Sequence, residues 1–299
     1  MLRHVTWQSA PALELANAAV RTVVVPEHGG KLASLEHVPS GRDWLWHNPH
    51  LAPRAPAYDG DFVGAHDVGG WDECFPAVRA DFYPARPWRG CRIPDHGELW
   101  CTPWEITDHG DEHVTLAASG TRFPYRFLRT MRLLPEGLLV SYEAENRSAE
   151  AFPFLWCAHP LLAAAPGMAL RLPPALGSFR IYSGGPFLYE FDPPRVLPDP
   201  GSFAIKCFAP VYGGGTVALV DGDSEFRISY QGADVTHLNL WLNCGAWSGV
   251  PGAPPYYNIG IEPGIGPGDD LDLALTHLGE AGVLEPRGKR QWSLEVTLR

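Results

Sequence analysis

The chain has 299 residues, of which 45% are hydrophobic and 19% charged, with a formal net charge of −11. That much apolar material excludes a disordered chain, and the acidic balance excludes an open nucleic-acid surface, which must meet dense phosphate charge with Lys and Arg. The 32 Gly and 30 Pro weigh against a helical protein, because Gly weakens and Pro breaks helix interiors, and predict many turns between short strands.

In chain order, the opening MLRHVTWQSAPALEL lacks the uninterrupted apolar core and cleavage site of a secretory signal, so a cytoplasmic protein is expected. Strands are predicted at residues 19–25, 31–36 and 114–118. Residues 127–134 and 138–145 read as a hairpin around Pro135-Glu136-Gly137. The apolar stretch 151–165 carries Pro153, His159 and Pro160 and is too short and too polar to span a bilayer. It reads as a buried strand over 152–157 running into a loop. Further strands are predicted at 216–220, 225–230, 237–242, 256–261 and 271–277. Finally Trp292, Leu294, Val296 and Leu298 alternate with polar neighbours, the signature of a strand with one buried face.

Convincing amphipathic helices are nearly absent. The predicted fold is therefore all-β: one domain over residues 1–299, a large antiparallel sandwich or barrel with very little helix. Cys74, Cys91, Cys101, Cys157, Cys207 and Cys244 form no CxxC pair, so reduced thiols are expected rather than a zinc site or a disulfide framework.

Three residues stand out for chemistry: His96 in PDHGELW, His159 in WCAHPLL and Glu262 in NIGIEPGIGP. Two imidazoles and a carboxylate, with ordinary pKa values of about 6.5 and about 4.3, suit acid–base work near neutrality. Each also has a structural reading. His96 lies in a turn where a histidine is readily solvated. His159 ends an apolar run, where it needs a partner to offset its burial and can find one in a backbone carbonyl. Glu262 closes a strand and is either exposed there or buried with a raised pKa.

Taken together and in order, GGKLASLEH, GGWDECFP, PDHGELW, His159-Pro160, Ile261-Glu262-Pro263 and LEPRGKRQWSLEVTLR resemble the aldose 1-epimerase (galactose mutarotase) superfamily, which includes the hexose-6-phosphate epimerases. The likeness spans nearly the whole chain, and its specificity lies in order and spacing. It implies a β-supersandwich with the site on a concave sheet and an isomerase that opens and recloses a sugar ring. By that resemblance Glu262 takes the proton from the anomeric hydroxyl, His159 protonates the ring oxygen, and His96 holds or polarises that oxygen. The resemblance implies no cofactor and no metal.

The chain also departs from the family pattern. Asp72-Glu73 stand where the family's arginine is sought, and Lys206 stands in the region of its aspartate; Leu161-Leu162 replace an aromatic pair. Asp72, Glu73, Trp100, Lys206 and Trp241 are expected to bind substrate, and Trp71 and Trp247 are further candidates for stacking on a sugar. Arg79, Arg86, Arg89 and Arg92 are close enough in sequence to clamp a phosphate, although no Gly-rich cradle accompanies them. The expected partner is a small-molecule sugar, with no nucleic acid, no membrane, and room for a homodimer. The alternatives are a non-catalytic carbohydrate-binding or regulatory protein, a hexose-6-phosphate epimerase, or a hydrolase or lyase in which Asp72 or Glu73 joins Glu262.

Overall fold

The alternation read in the sequence becomes two large antiparallel sheets. The structure is a computed structural model that describes residues 1–176, 178–182, 188–231 and 234–299. The first sheet has 12 strands; its central strands, in spatial order, are Lys31–His37, Trp71–Cys74, Trp156–Ala163, Tyr256–Ile265, His237–Trp247 and Ala204–Pro210. The second has eight and runs from Ala169–Arg171 through Gly215–Asp221, Ser224–Tyr230, Lys289–Leu298, Gly137–Asn146, Tyr125–Leu134 and His113–Ser119 to Glu105–Gly110.

The predicted hairpin is present, with Leu134 paired to Gly137 at its turn. Trp292, Leu294, Val296 and Leu298 all point into the core. That core lies between the sheets, because each inner face can leave water only by covering the other. The Trp156 ring of the first sheet meets Tyr142 and Trp292 of the second at centroid distances of 4.8 and 4.9 Å.

Two predicted strands are corrected. Residues 271–277 form a helical turn, Leu273–Leu278, instead of a strand. Leu271, Leu273 and Leu275 mimic a period of two, but the Asp270 carboxylate accepts the Leu273 N–H at 2.9 Å and Gly279 adopts a left-handed φ of 68°, which closes the turn at both ends. The strand over 152–157 is broken at Leu155, whose N–H goes to the Pro76 carbonyl at 2.7 Å. Phe152–Phe154 pairs with Gly282–Leu284, while Trp156–Ala163 enters the first sheet. Among the described residues, no helix is long and apolar enough to cross a membrane.

Candidate active site

Side chains alternate between the two faces of a strand, and that parity sorts the central strands of the first sheet. Pairing places Asp72 opposite His159, Leu161 opposite Gly260, Trp241 opposite Gly260 and Lys206 opposite Trp241. These residues, with Glu262 two places beyond Gly260, therefore share the face turned away from the core.

A cavity of about 440 Å³ opens on that face. Phe62, Trp241, Trp247 and Tyr256 form its aromatic walls, and its polar groups include Asp67, Asp95, His96, His159, Lys206 and Asp269. Trp247 stands edge-on to Trp241 and to Tyr256, at 5.4 and 6.0 Å between centroids. A larger groove of about 620 Å³, lined by Arg171, Glu190, Asp192 and Arg195, holds no imidazole. Both imidazoles, His96 and His159, line the smaller cavity.

Glu262 is wholly buried behind the lining residues His159 and Lys206. Its Oε2 accepts hydrogen bonds from Lys206 Nζ and, at 3.1 Å, from Cys157 Sγ. Its Oε1 lies 3.8 Å from His159 Nε2 and has no hydrogen-bond partner among the described residues. The His159 and His96 rings stand edge to face, 5.2 Å apart. The three residues singled out for chemistry are thus neighbours in space.

The expected ligands divide. Trp241 lines the cavity, as does Trp247. Lys206 lines it too, but its ammonium is bonded to Glu262 and lies 3.5 Å from Asp269 Oδ1. Burial alone would lower its pKa; those two carboxylates outweigh burial and hold it well above the usual lysine range.

Asp72 is on the site face but buried beneath the cavity, its Oδ2 bonded to Lys31 Nζ. Glu73, the next residue, points the other way, into the core. There its carboxylate takes Arg129 Nη1 at 3.1 Å, Tyr142 OH at 3.0 Å and Trp156 Nε1 at 3.0 Å. Burial pushes the Glu73 carboxyl up to about 7, with Arg129 pulling in the opposite sense. Glu73 ties the sheets together and does not reach the cavity, and parity puts the core-packed Trp71 on the same inner side.

Trp100 is buried one layer behind the wall, edge-on to Phe62 at 5.0 Å, with its Nε1 donating to the Asp95 carbonyl at 2.7 Å. Of the four arginines, Arg79 lines the cavity and is paired with Asp270 at 3.3 Å. Arg92 faces Asp59 at 3.6 Å.

Asp67, Asp95, Asp269, Phe62 and Tyr256 also line the cavity but were not singled out in the sequence. Asp95 precedes His96, and Asp269 follows Glu262 within one Gly-Pro-rich turn; proximity to a chemical residue was the available signal. Burial pushes the Asp67 carboxyl up to about 6 against the pull of Lys31.

This architecture, a two-sheet antiparallel sandwich, is the galactose mutarotase-like fold. The galactose mutarotase related enzyme from Lactobacillus acidophilus superposes with a TM-score of 0.74 at 16% identity, over 96% of this chain and 97% of that one. A galactose mutarotase-like protein from Lactobacillus casei gives 0.67 at 19% identity, over 96% and 100%, and one from Clostridium acetobutylicum gives 0.72 at 14%, over 100% and 98%. No family model matches the sequence, and no curated protein does. The likeness is one of fold.

Proposed function

We propose that the protein is an aldose 1-epimerase-type isomerase that interconverts the anomers of a sugar by acid–base ring opening and reclosure. The observation that carries this reading is the Glu262 carboxylate: one oxygen is held by Lys206 and Cys157, and the other, buried 3.8 Å from an imidazole, has no hydrogen-bond partner among the described residues. Glu262 Oε1 takes the proton from the C1 hydroxyl while an imidazole delivers one to the ring oxygen. The bond from C1 to the ring oxygen breaks, and the open aldehyde turns about the C1–C2 bond. It then recloses on its other face with both protons returned. Each positioned transfer contributes about 10²–10⁴-fold. The aromatic walls suit the C–H faces of a sugar and keep bulk water from the exchanging protons. The reading needs no cofactor, and its partner is a small-molecule sugar.

The test is polarimetry or NMR of freshly dissolved single anomers of hexoses, pentoses and their 6-phosphates. Wild type is expected to speed equilibration of at least one, and Glu262→Gln to slow it by about 10²-fold or more. A sugar that is bound but never equilibrated faster than in buffer makes the protein a carbohydrate-binding module instead.

A further inference from the structure

We propose that the aldose this cavity takes carries a positive charge, as an amino sugar does, and that a phosphorylated aldose is turned away. The proposal deepens the anomer-interconversion reading above and rests on it.

Among the charged residues that line the cavity, Asp67, Asp95 and Asp269 stand against Lys206 and Arg79. Both cations are already engaged. Lys206 Nζ is bonded to Glu262 Oε2 and lies 3.5 Å from Asp269 Oδ1, and Arg79 Nη1 lies 3.3 Å from Asp270 Oδ2. With Glu262 and Asp270 included, carboxylates outnumber these cations, and they still do when Asp95 is set aside with His96, 3.1 Å away. Beneath the cavity, Asp72 is matched by Lys31. The local surplus is therefore negative.

Asp269 is the carboxylate placed to meet a ligand. Its backbone carbonyl accepts the N–H groups of Val78 at 3.3 Å and Arg79 at 2.8 Å, which fixes the turn that carries it. Its side chain stays 30% exposed in the cavity wall, and its Oδ1 has no hydrogen-bond partner among the described residues, since Lys206 at 3.5 Å is beyond ordinary bonding length.

The aromatic lining suits the same kind of group. The faces of Trp and Tyr rings carry negative potential and attract an ammonium, and Trp241, Trp247 and Tyr256 all line the cavity. Trp241 Nε1 is occupied by Asn258 Oδ1 at 3.2 Å, so what this residue offers a ligand is its ring. Trp247 is 38% exposed and within reach. A carboxylate beside aromatic faces is the chemistry that recognises an organic ammonium.

A sugar phosphate meets the opposite case. It brings about 1.5–2 negative charges and needs Lys or Arg to clamp them. Arg86, Arg89 and Arg92 are not among the lining residues. The net charge of −11 on the whole chain adds a field that slows the approach of any anion.

The experiment compares kcat/KM for anomerisation, followed by NMR at low ionic strength and about pH 6, where an amine is protonated. Two sets of sugars serve: glucose with glucosamine and glucose 6-phosphate, and galactose with galactosamine and galactose 6-phosphate. In the set that wild type equilibrates, the amino sugar should exceed its neutral parent by about fivefold or more and the phosphate should fall below it by about tenfold or more. Both gaps should narrow in about 0.5 M salt. In Asp269→Asn the ratio of amino sugar to parent should drop toward unity, and because the parent is measured in the same variant, a general loss of rate cancels. An amino sugar no better than its parent, a phosphate as good as its parent, or a ratio unmoved in Asp269→Asn overturns the proposal.

If no sugar is equilibrated faster than in buffer, the isomerase reading falls. Calorimetric binding of the same six sugars then reads the charge preference by itself. Tighter binding of the amino sugar than of its parent upholds the cationic ligand, and equal or weaker binding overturns it.

Discussion

Gly260 stands two residues before Glu262 on the same strand face, and a Cβ there would lie 2.4 Å from Glu262 Oε1 and 3.1 Å from Trp241 Cβ. The absence of a side chain is what gives the carboxylate room to lie along the sheet with that oxygen unpaired. Gly260→Ala is therefore expected to displace Oε1 and to lower anomerisation by about 10²-fold while near-UV circular dichroism shows the aromatic packing intact. Unchanged kinetics would mean that Oε1 is not the working atom. At this scale the sequence was partly legible. His96, His159 and Glu262 could be picked out because chemistry restricts which residue types serve. Asp67 could not, because it sits in a connection without periodicity and beside none of those three in sequence. Asp72 and Glu73 show the remaining gap: adjacent strand residues face opposite ways, so only one could be on the site face, but the sequence does not say which face is which.

Among elements, the contact between sheets matters most around Glu73. Arg129, reaching across from Tyr125–Leu134, is as buried as the carboxylate it meets. Its Nη2 donates to the Gly30 carbonyl, and its guanidinium lies over the Trp104 ring at 5.1 Å. Arg129→Met leaves Glu73 buried without its cation and should cost about 3–5 kcal/mol in chemical denaturation. Adding Glu73→Gln should recover much of that loss, and a double variant no better than the single one would show that the charge pair is not what is being measured. Strands whose alternation was regular, such as Gly137–Asn146 and Lys289–Leu298, were readable because half their residues must face the core. The Leu2–Trp7 and Ala10–Ala16 hairpin was not, because its turn places Gln8 and Ser9 at φ 46° and 77° without the usual glycine or asparagine. The Leu273–Leu278 turn misled because three leucines at a spacing of two outweighed a cap that depends on one aspartate.

For the whole molecule, the cluster of Tyr142, Trp156 and Trp292 joins the two sheets through rings less than 6 Å apart. Loss of one sheet strips the other of its inner face. Tryptophan fluorescence and far-UV circular dichroism should therefore follow one coincident transition in guanidinium chloride; two separated transitions would show that the sheets stand independently. Lys289–Leu298 lies between Gly137–Asn146 and Ser224–Tyr230 in the second sheet. On the ribosome those two flanking strands emerge long before the one that joins them. At about 5–20 residues per second they present unpaired edges for on the order of several seconds. The eight-stranded sheet is thus assembled after synthesis of residues 289–298, not alongside it, and the nascent chain needs shielding through that interval.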